Sequence, residues 1–182
     1  MSIRMCRRAW KLPEDSAGDP AIRIRQLTAA DVDAYRALRL AGLAAHPHAF
    51  GADAEEEAAW PMADWLARLE HRTTFGAFTN DALVGTAALA IEPGRKHAHC
   101  GHLVGMYVAP EARGTGAGRA LIEAVLDLAR GRVELVRLSV AIANAPAIAL
   151  YLACGFRPYA VDPDAIRVEG VIVDDILMER RP

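Results

Sequence analysis

Apolar and polar positions change period several times along the chain. Ile22 and Ile24 alternate with arginines before Leu27, which is a strand pattern. Thr28 followed by Asp31 then caps an Ala- and Leu-rich helix running to about Ala45. Residues 46–60 mix Pro47, Gly51 and the acidic run Glu55–Glu57, which predicts a loop, and Pro61 suits the first turn of a short helix carrying Trp65, Leu66 and Leu69. Thr73–Thr79 and Ala82–Ile91 are strand-like runs on either side of Asn80 and Asp81, so they predict an antiparallel hairpin. A strand over His97–Val108, a glycine-rich turn and a helix over Ala120–Arg130 come next, the helix marked by Leu121, Ile122, Val125, Leu126 and Leu128. Glu134–Ala141 reads as a strand and Ala145–Ala153 as a helix. Phe156–Val161 and Gly170–Leu177 then read as strands around a connection at 162–169. Hairpins at both ends and an αβα passage between them predict a mixed sheet flanked by helices.

The first 20 residues carry Pro13, Gly18 and Pro20 among polar neighbours with no sustained period, and read as a mobile leader; residues 21–182 form a single domain. Bulk composition narrows the function. At 182 residues with 53% hydrophobic content the chain fills one core, and a net charge of −2 provides no positive field to attract nucleic acid or anionic lipid. No stretch approaches the ~18 apolar residues of a membrane span, and no apolar segment follows the basic N-terminus as a signal peptide requires. Cys6, Cys100 and Cys154 form no CxxC pair or zinc-ligand spacing, which fits a reducing, cytoplasmic location without metal.

Candidate chemistry concentrates in Val104–Leu121. Glycines at 114, 116 and 118 stand between a strand and a helix, where the backbone can turn sharply and aim several N–H groups at an anion. The implied guest is a phosphate or pyrophosphate. A nucleotide-hydrolysing P-loop needs Lys and Ser/Thr after its last glycine, but Arg119 and Ala120 stand there. A dinucleotide fingerprint needs GxGxxG, and Gly114-x-Gly116-x-Gly118 departs from it.

The run Arg113, Gly114, Thr115, Gly116, Ala117, Gly118, preceded by Val108-x-Pro110, resembles the (R/Q)xxGxG/A signature of GNAT superfamily N-acetyltransferases. A second block, Asn144 to Phe156, resembles that family's NxxAxxLYxxxGF pattern, in the expected order. The resemblance covers about Ala21 to Glu179. It implies an α/β (α+β) GNAT fold: a mixed, mostly antiparallel sheet splayed at its middle strands and flanked by about four helices. It further implies an acyltransferase that moves an acetyl group from acetyl-CoA to a primary amine by direct attack in a ternary complex. The pantetheine arm is expected along Met106, Tyr107 and Val108, and the pyrophosphate on the turn from Arg113 to Gly118, with Arg113 and Arg119 as supporting charges. Asn144 is expected to position the cofactor. Tyr151, two helical turns from Asn144 and so on the same side of the helix, is implied as the general acid for the leaving thiolate; the alternative is a packed tyrosine with its hydroxyl tied to backbone.

For the general base, family members carry a carboxylate near His102. Strand alternation gives His102 the parity of Met106 and Val108, and so the same cleft; the other reading is a packed strand histidine. The acceptor groove implied by the family is bounded by His46–Trp60 and Pro158–Gly170. Asp53 and Glu55–Glu57 there either draw a cationic amine or form a solvated helix face. The acceptor's identity, a different acyl donor such as succinyl-CoA, and a non-catalytic acyl-CoA sensor stay open. An exposed edge at the final strand, Val171–Leu177, leaves a homodimer as a candidate assembly.

Overall fold

The chain folds around one seven-stranded sheet in the order β1-β2-β3-β4-β5-β7-β6. The computed structural model describes residues 21–91 and 93–182; the leader expected at 1–20 lies outside them. β1 (Arg23–Gln26), β2 (Thr73–Thr79) and β3 (Ala82–Ile91) form an antiparallel meander with β4 (Cys100–Val108). Between β1 and β2 lie α1 (Val32–Ala45), α2 (Ala54–Ala58) and α3 (Met62–His71). α4 (Ala117–Ala129), β5 (Leu135–Ala141), α5 (Ala145–Ala153), β6 (Arg157–Val168) and β7 (Val171–Arg180) complete the order. The expected mixed, mostly antiparallel sheet is present, with five α-helices among the described residues.

Local chemistry explains most boundaries. The Thr28 N–H donates to Asp31 Oδ2 at 2.8 Å, and Asp31 is held in turn by a fork from Arg25, so β1 hands over to α1 within a few residues. Asn80 and Asp81 take left-handed φ values of 47° and 64°, as the two-residue hairpin between β2 and β3 requires. The core lies between the sheet and α4, whose Leu121, Ile122, Val125 and Leu126 are buried with Leu103, Val136 and Met178. Each fully buried Leu, Ile or Val contributes roughly 1.5–3 kcal/mol. α1 covers the opposite face, where a Cβ on Gly42 would stand 3.1 Å from the Tyr107 ring.

Three sequence expectations change. β4 begins at Cys100, not His97, because the turn after Pro93 continues to residue 99, closed by the His97 and Ala98 N–H groups on the Gly94 carbonyl. The connection expected at 162–169 is strand: β6 runs through Pro163, which an edge strand tolerates, and only Glu169 and Gly170 turn. β7 therefore lies between β5 and β6, and the edges of the sheet are β1 and β6, not the final strand.

Two irregularities interrupt the middle of the sheet. β4 and β5 are parallel but pair only at Cys100, Gly101 and His102, and then part. β4 also carries an extra residue: Ala88 faces Val104 while Thr86 faces Tyr107, so two steps on β3 match three on β4. Gly105 absorbs this bulge at φ 62°, and the Thr86 hydroxyl donates to its carbonyl at 3.1 Å.

Candidate active site

Where β4 and β5 part, a cavity of about 640 Å³ opens. Met106, Tyr107 and Val108 line one side, Ser139, Val140 and Ala141 the other. Asn144, which caps α5, and Leu150 and Tyr151 of that helix also line it, as do His46 and Phe50 from the connection between α1 and α2. The side of β4 facing this opening has no partner strand beyond His102.

The three glycines of the turn do different work. Gly114 (φ 80°) and Gly116 (φ 90°, the residue capping α4) hold left-handed conformations that L side chains resist. Gly118 is a close approach: a Cβ there would stand 2.9 Å from Leu150 Cδ2 and 3.4 Å from Met106 Cε. α4 can thus start against α5 and beside the cavity, with its first N–H groups lacking intrahelical acceptors and its positive end toward the turn. Thr115 turns its hydroxyl inward to the Ala112 carbonyl at 2.7 Å, and Ala117 is buried. Arg113 borders the cavity, but Arg119 does not. Arg119 extends toward Glu123 (3.8 Å) and the Ala153 carbonyl (3.5 Å), lining a separate polar cavity with Arg130 and Arg180.

Asn144 and Tyr151 lie on one side of α5, as their spacing predicts, and both line the cavity. Asn144 caps the helix by accepting from the Ala147 N–H at 3.3 Å. Tyr151 is 6% exposed and meets Phe156 edge-on at 5.9 Å. Burial pushes its phenol well above the ordinary value, and the Cys154 thiol adds to the shift. At neutral pH the hydroxyl keeps its proton.

The parity expected for His102 fails at the bulge. By register His102 shares a face with Val104 and Tyr107, whereas Leu103 and Val108 point to the other, and His102 is absent from the cavity wall. Alternation carried across residues 102–108 cannot reveal the inserted residue; the only signal in the sequence is Gly105 inside a strand.

In the acidic stretch Asp53, Glu55 and Glu56 form the expected solvated helix face, and Glu57 alone departs from it. Asp53 caps α2, accepting from the Glu55 and Glu56 N–H groups. Glu57 is 3% exposed, and both its oxygens are forked by Arg39 and Arg68 at 2.9–3.1 Å. Arg39 also lies over the Phe50 ring, 5.2 Å from its centroid. This buried ion group fixes α2 between α1 and α3, and with it the connection bearing His46 and Phe50. Ser139, for which the sequence offers no signal, is a cavity residue that donates to Asp175 of β7.

The model of the acetyltransferase (GNAT) family matches residues 37–156, which include both the glycine turn and the Asn144–Phe156 block. The chain belongs to the GNAT acetyltransferase family. The family is one of acetyltransferases, and the donor it uses is acetyl-CoA. A mycothiol acetyltransferase of Clavibacter michiganensis subsp. michiganensis is 32% identical over 145 residues, covering 78% of this chain and 44% of that protein. The chain thus spans less than half the length of that relative. Among solved structures, a ribosomal-protein-alanine N-acetyltransferase from Brucella melitensis superposes with a TM-score of 0.72 at 25% identity, over 88% of this chain and 99% of that one. The protein yncA of Salmonella typhimurium, solved with its cofactor acetyl-CoA, gives 0.73 at 21% identity, over 88% and 94%. This GNAT protein and both solved structures therefore share one fold. No helix among the described residues is long and apolar enough to cross a membrane.

Proposed function

We propose that this GNAT protein is an acetyl-CoA-dependent N-acetyltransferase acting on a primary amine, with donor and acceptor in the cavity together. The observation that carries this reading is the continuity of that cavity: it joins Arg113 at the head of the glycine turn, the parted strands, Tyr151 and the connection between α1 and α2 in one space. The residues fit the donor. The unpaired side of β4 at Met106, Tyr107 and Val108 offers strand-like hydrogen bonds to an amide-bearing pantetheine. The turn from Gly114 to Gly118 offers N–H groups to the pyrophosphate, with Arg113 beside it. Asn144 holds the N-terminus of α5 in place, so that Tyr151 faces the cavity. When bound, acetyl-CoA supplies the acetyl group as a thioester open to attack by an amine.

Tyr151 is the proton donor to the departing sulfur, since its buried hydroxyl is neutral at physiological pH. The acceptor approaches past His46 and Phe50. The alanine N-acetyltransferase from Brucella melitensis supports an α-amine among the acceptors to try first. Cys100 and Cys154 are both buried and stand outside any CxxC spacing, which suits a reducing, cytoplasmic setting. The test is thiol release from acetyl-CoA across small amines, polyamines and peptides at mildly alkaline pH. Release that depends on one amine class supports the reading. Thermal stabilisation by acetyl-CoA with no release for any amine overturns it in favour of an acyl-CoA sensor.

A further inference from the structure

The donor turn and the acceptor-side connection are joined directly, through Arg113 and His46. Arg113 Nε donates to the Val108 carbonyl at 3.1 Å, and its terminal nitrogen stands 3.0 Å from His46 Nε2. A guanidinium has donors only. Arg113 is therefore the donor, Nε2 presents its lone pair, and the neutral ring carries its hydrogen on Nδ1. His46 ends α1, with its ring 6.1 Å from that of Tyr107; the close contact of Gly42 with the same Tyr107 sets where the helix end lies. His46, Arg113 and Tyr151 all line the cavity. A neutral imidazole thus stands in the reaction space with its one basic atom covered by a cation from the donor turn.

We propose that His46 takes the proton from the acceptor amine, and that Arg113 keeps it covered until the guanidinium turns to a phosphate at Gly114–Gly118. The proposal rests on the donor-site reading above. In the proton transfer, an N–H bond of the acceptor ammonium breaks and an Nε2–H bond forms. The amine retains the electron pair it uses for attack, and His46 becomes an imidazolium that returns its proton to water at the cavity mouth. The ionisable groups around the ring are Arg113 on the turn, Tyr107 on β4, His48 in the same connection and Arg39 of α1, beyond Phe50. Arg113 acts here as a positioning residue and His46 as a catalytic one. The arrangement makes acceptor activation conditional on an occupied donor site.

The test uses protein labelled with ¹⁵N, with histidine side-chain and glycine amide resonances followed as CoA is added. In the free protein His46 shows an Nδ1–H tautomer with a hydrogen-bonded Nε2. CoA shifts the Gly114, Gly116 and Gly118 amides and moves the His46 Nε2 resonance downfield, toward an unbonded lone pair. Arg113→Met places His46 Nε2 at the downfield position before CoA is added. His46→Gln lowers kcat/KM for the amine by about 100-fold or more and leaves CoA affinity within about twofold. Glycine amides that shift while His46 Nε2 does not overturn the proposal alone, as does a His46→Gln enzyme of undiminished kcat/KM. Glycine amides that do not respond to CoA overturn the donor-site reading, and the proposal with it.

Discussion

Replacing Glu57 by alanine tests how the acceptor side of the molecule is held. The carboxylate accepts four hydrogen bonds of 2.9–3.1 Å from two arginine forks, and the Arg39 and Arg68 side chains are themselves only 11% and 12% exposed. Burial alone would push the Glu57 carboxyl up; the hydrogen bonds from Arg39 and Arg68 outweigh this and hold it below its ordinary value. Glu57→Ala leaves two nearly buried cations facing each other, a loss of about 3–5 kcal/mol. At roughly 2–4 °C per kcal/mol for a chain of this size, Tm falls by about 6–20 °C in thermal unfolding followed by circular dichroism. Because Arg39 lies over Phe50, KM for the amine rises while CoA affinity holds. The folded-state pKa is depressed, so the stabilisation is complete above the unfolded carboxylate value of about 4.3 and is lost as pH falls through the folded one. The Tm gap between wild type and variant therefore narrows in acid. A drop below about 2 °C, the scale of an exposed ion pair, would refute the reasoning.

Three further substitutions probe other parts of the molecule. Tyr151→Phe lowers kcat by about 10²–10⁴-fold in the thiol-release assay, with CoA affinity within about twofold by calorimetry; unchanged kcat removes Tyr151 as the acid. Thr74 is 2% exposed and its hydroxyl meets no partner among the described residues, so Thr74→Val, nearly isosteric in a strand, raises stability by about 1 kcal/mol in urea titration. Gly76→Ala sets a Cβ 2.6 Å from both Leu27 Cδ2 and Leu83 Cδ1 and 2.8 Å from Phe78 Cε2; overpacking of this kind lowers stability by about 1–3 kcal/mol in the same titration.

How much of the fold the sequence conveys depends on how local each signal is. The β2–β3 hairpin and α5 are specified by residues inside them: Asn80 and Asp81 favour positive φ, and Asn144 with Pro146 starts a helix. Both are legible to the residue. Hydrophobic alternation fails where it has no cue to strand position. Residues 162–168 read as a connection because Asp162, Pro163 and Asp164 suit turns, and nothing in them announces the outer strand of a sheet, where proline and charge are tolerated. Within the candidate site, the glycine turn and the Asn144–Tyr151 block are legible because contiguous backbone builds them. Alternation pairs His102 with Met106 and Val108 because it cannot register the inserted residue, whereas the bulge gives His102 the face of Val104 and Tyr107. The Arg113–His46 and Glu57 contacts join residues 67 and 11 to 18 positions apart, and such pairings are set by packing of α1 and the connections around it rather than by any local pattern.

The three-residue seam between β4 and β5 divides the sheet into two panels, β1 to β4 on one side and β5, β7 and β6 on the other, joined along one end only. Few hydrogen bonds hold the seam at Cys100–His102, so the packing of α4 against Leu103, Val136 and Met178 is what keeps the two panels together. A molecule laid into the gap as an added strand stitches the two panels along their whole length. Under the proposed function, slowed amide exchange in β1–β3 on adding acetyl-CoA is the sign that the donor bridges the two panels.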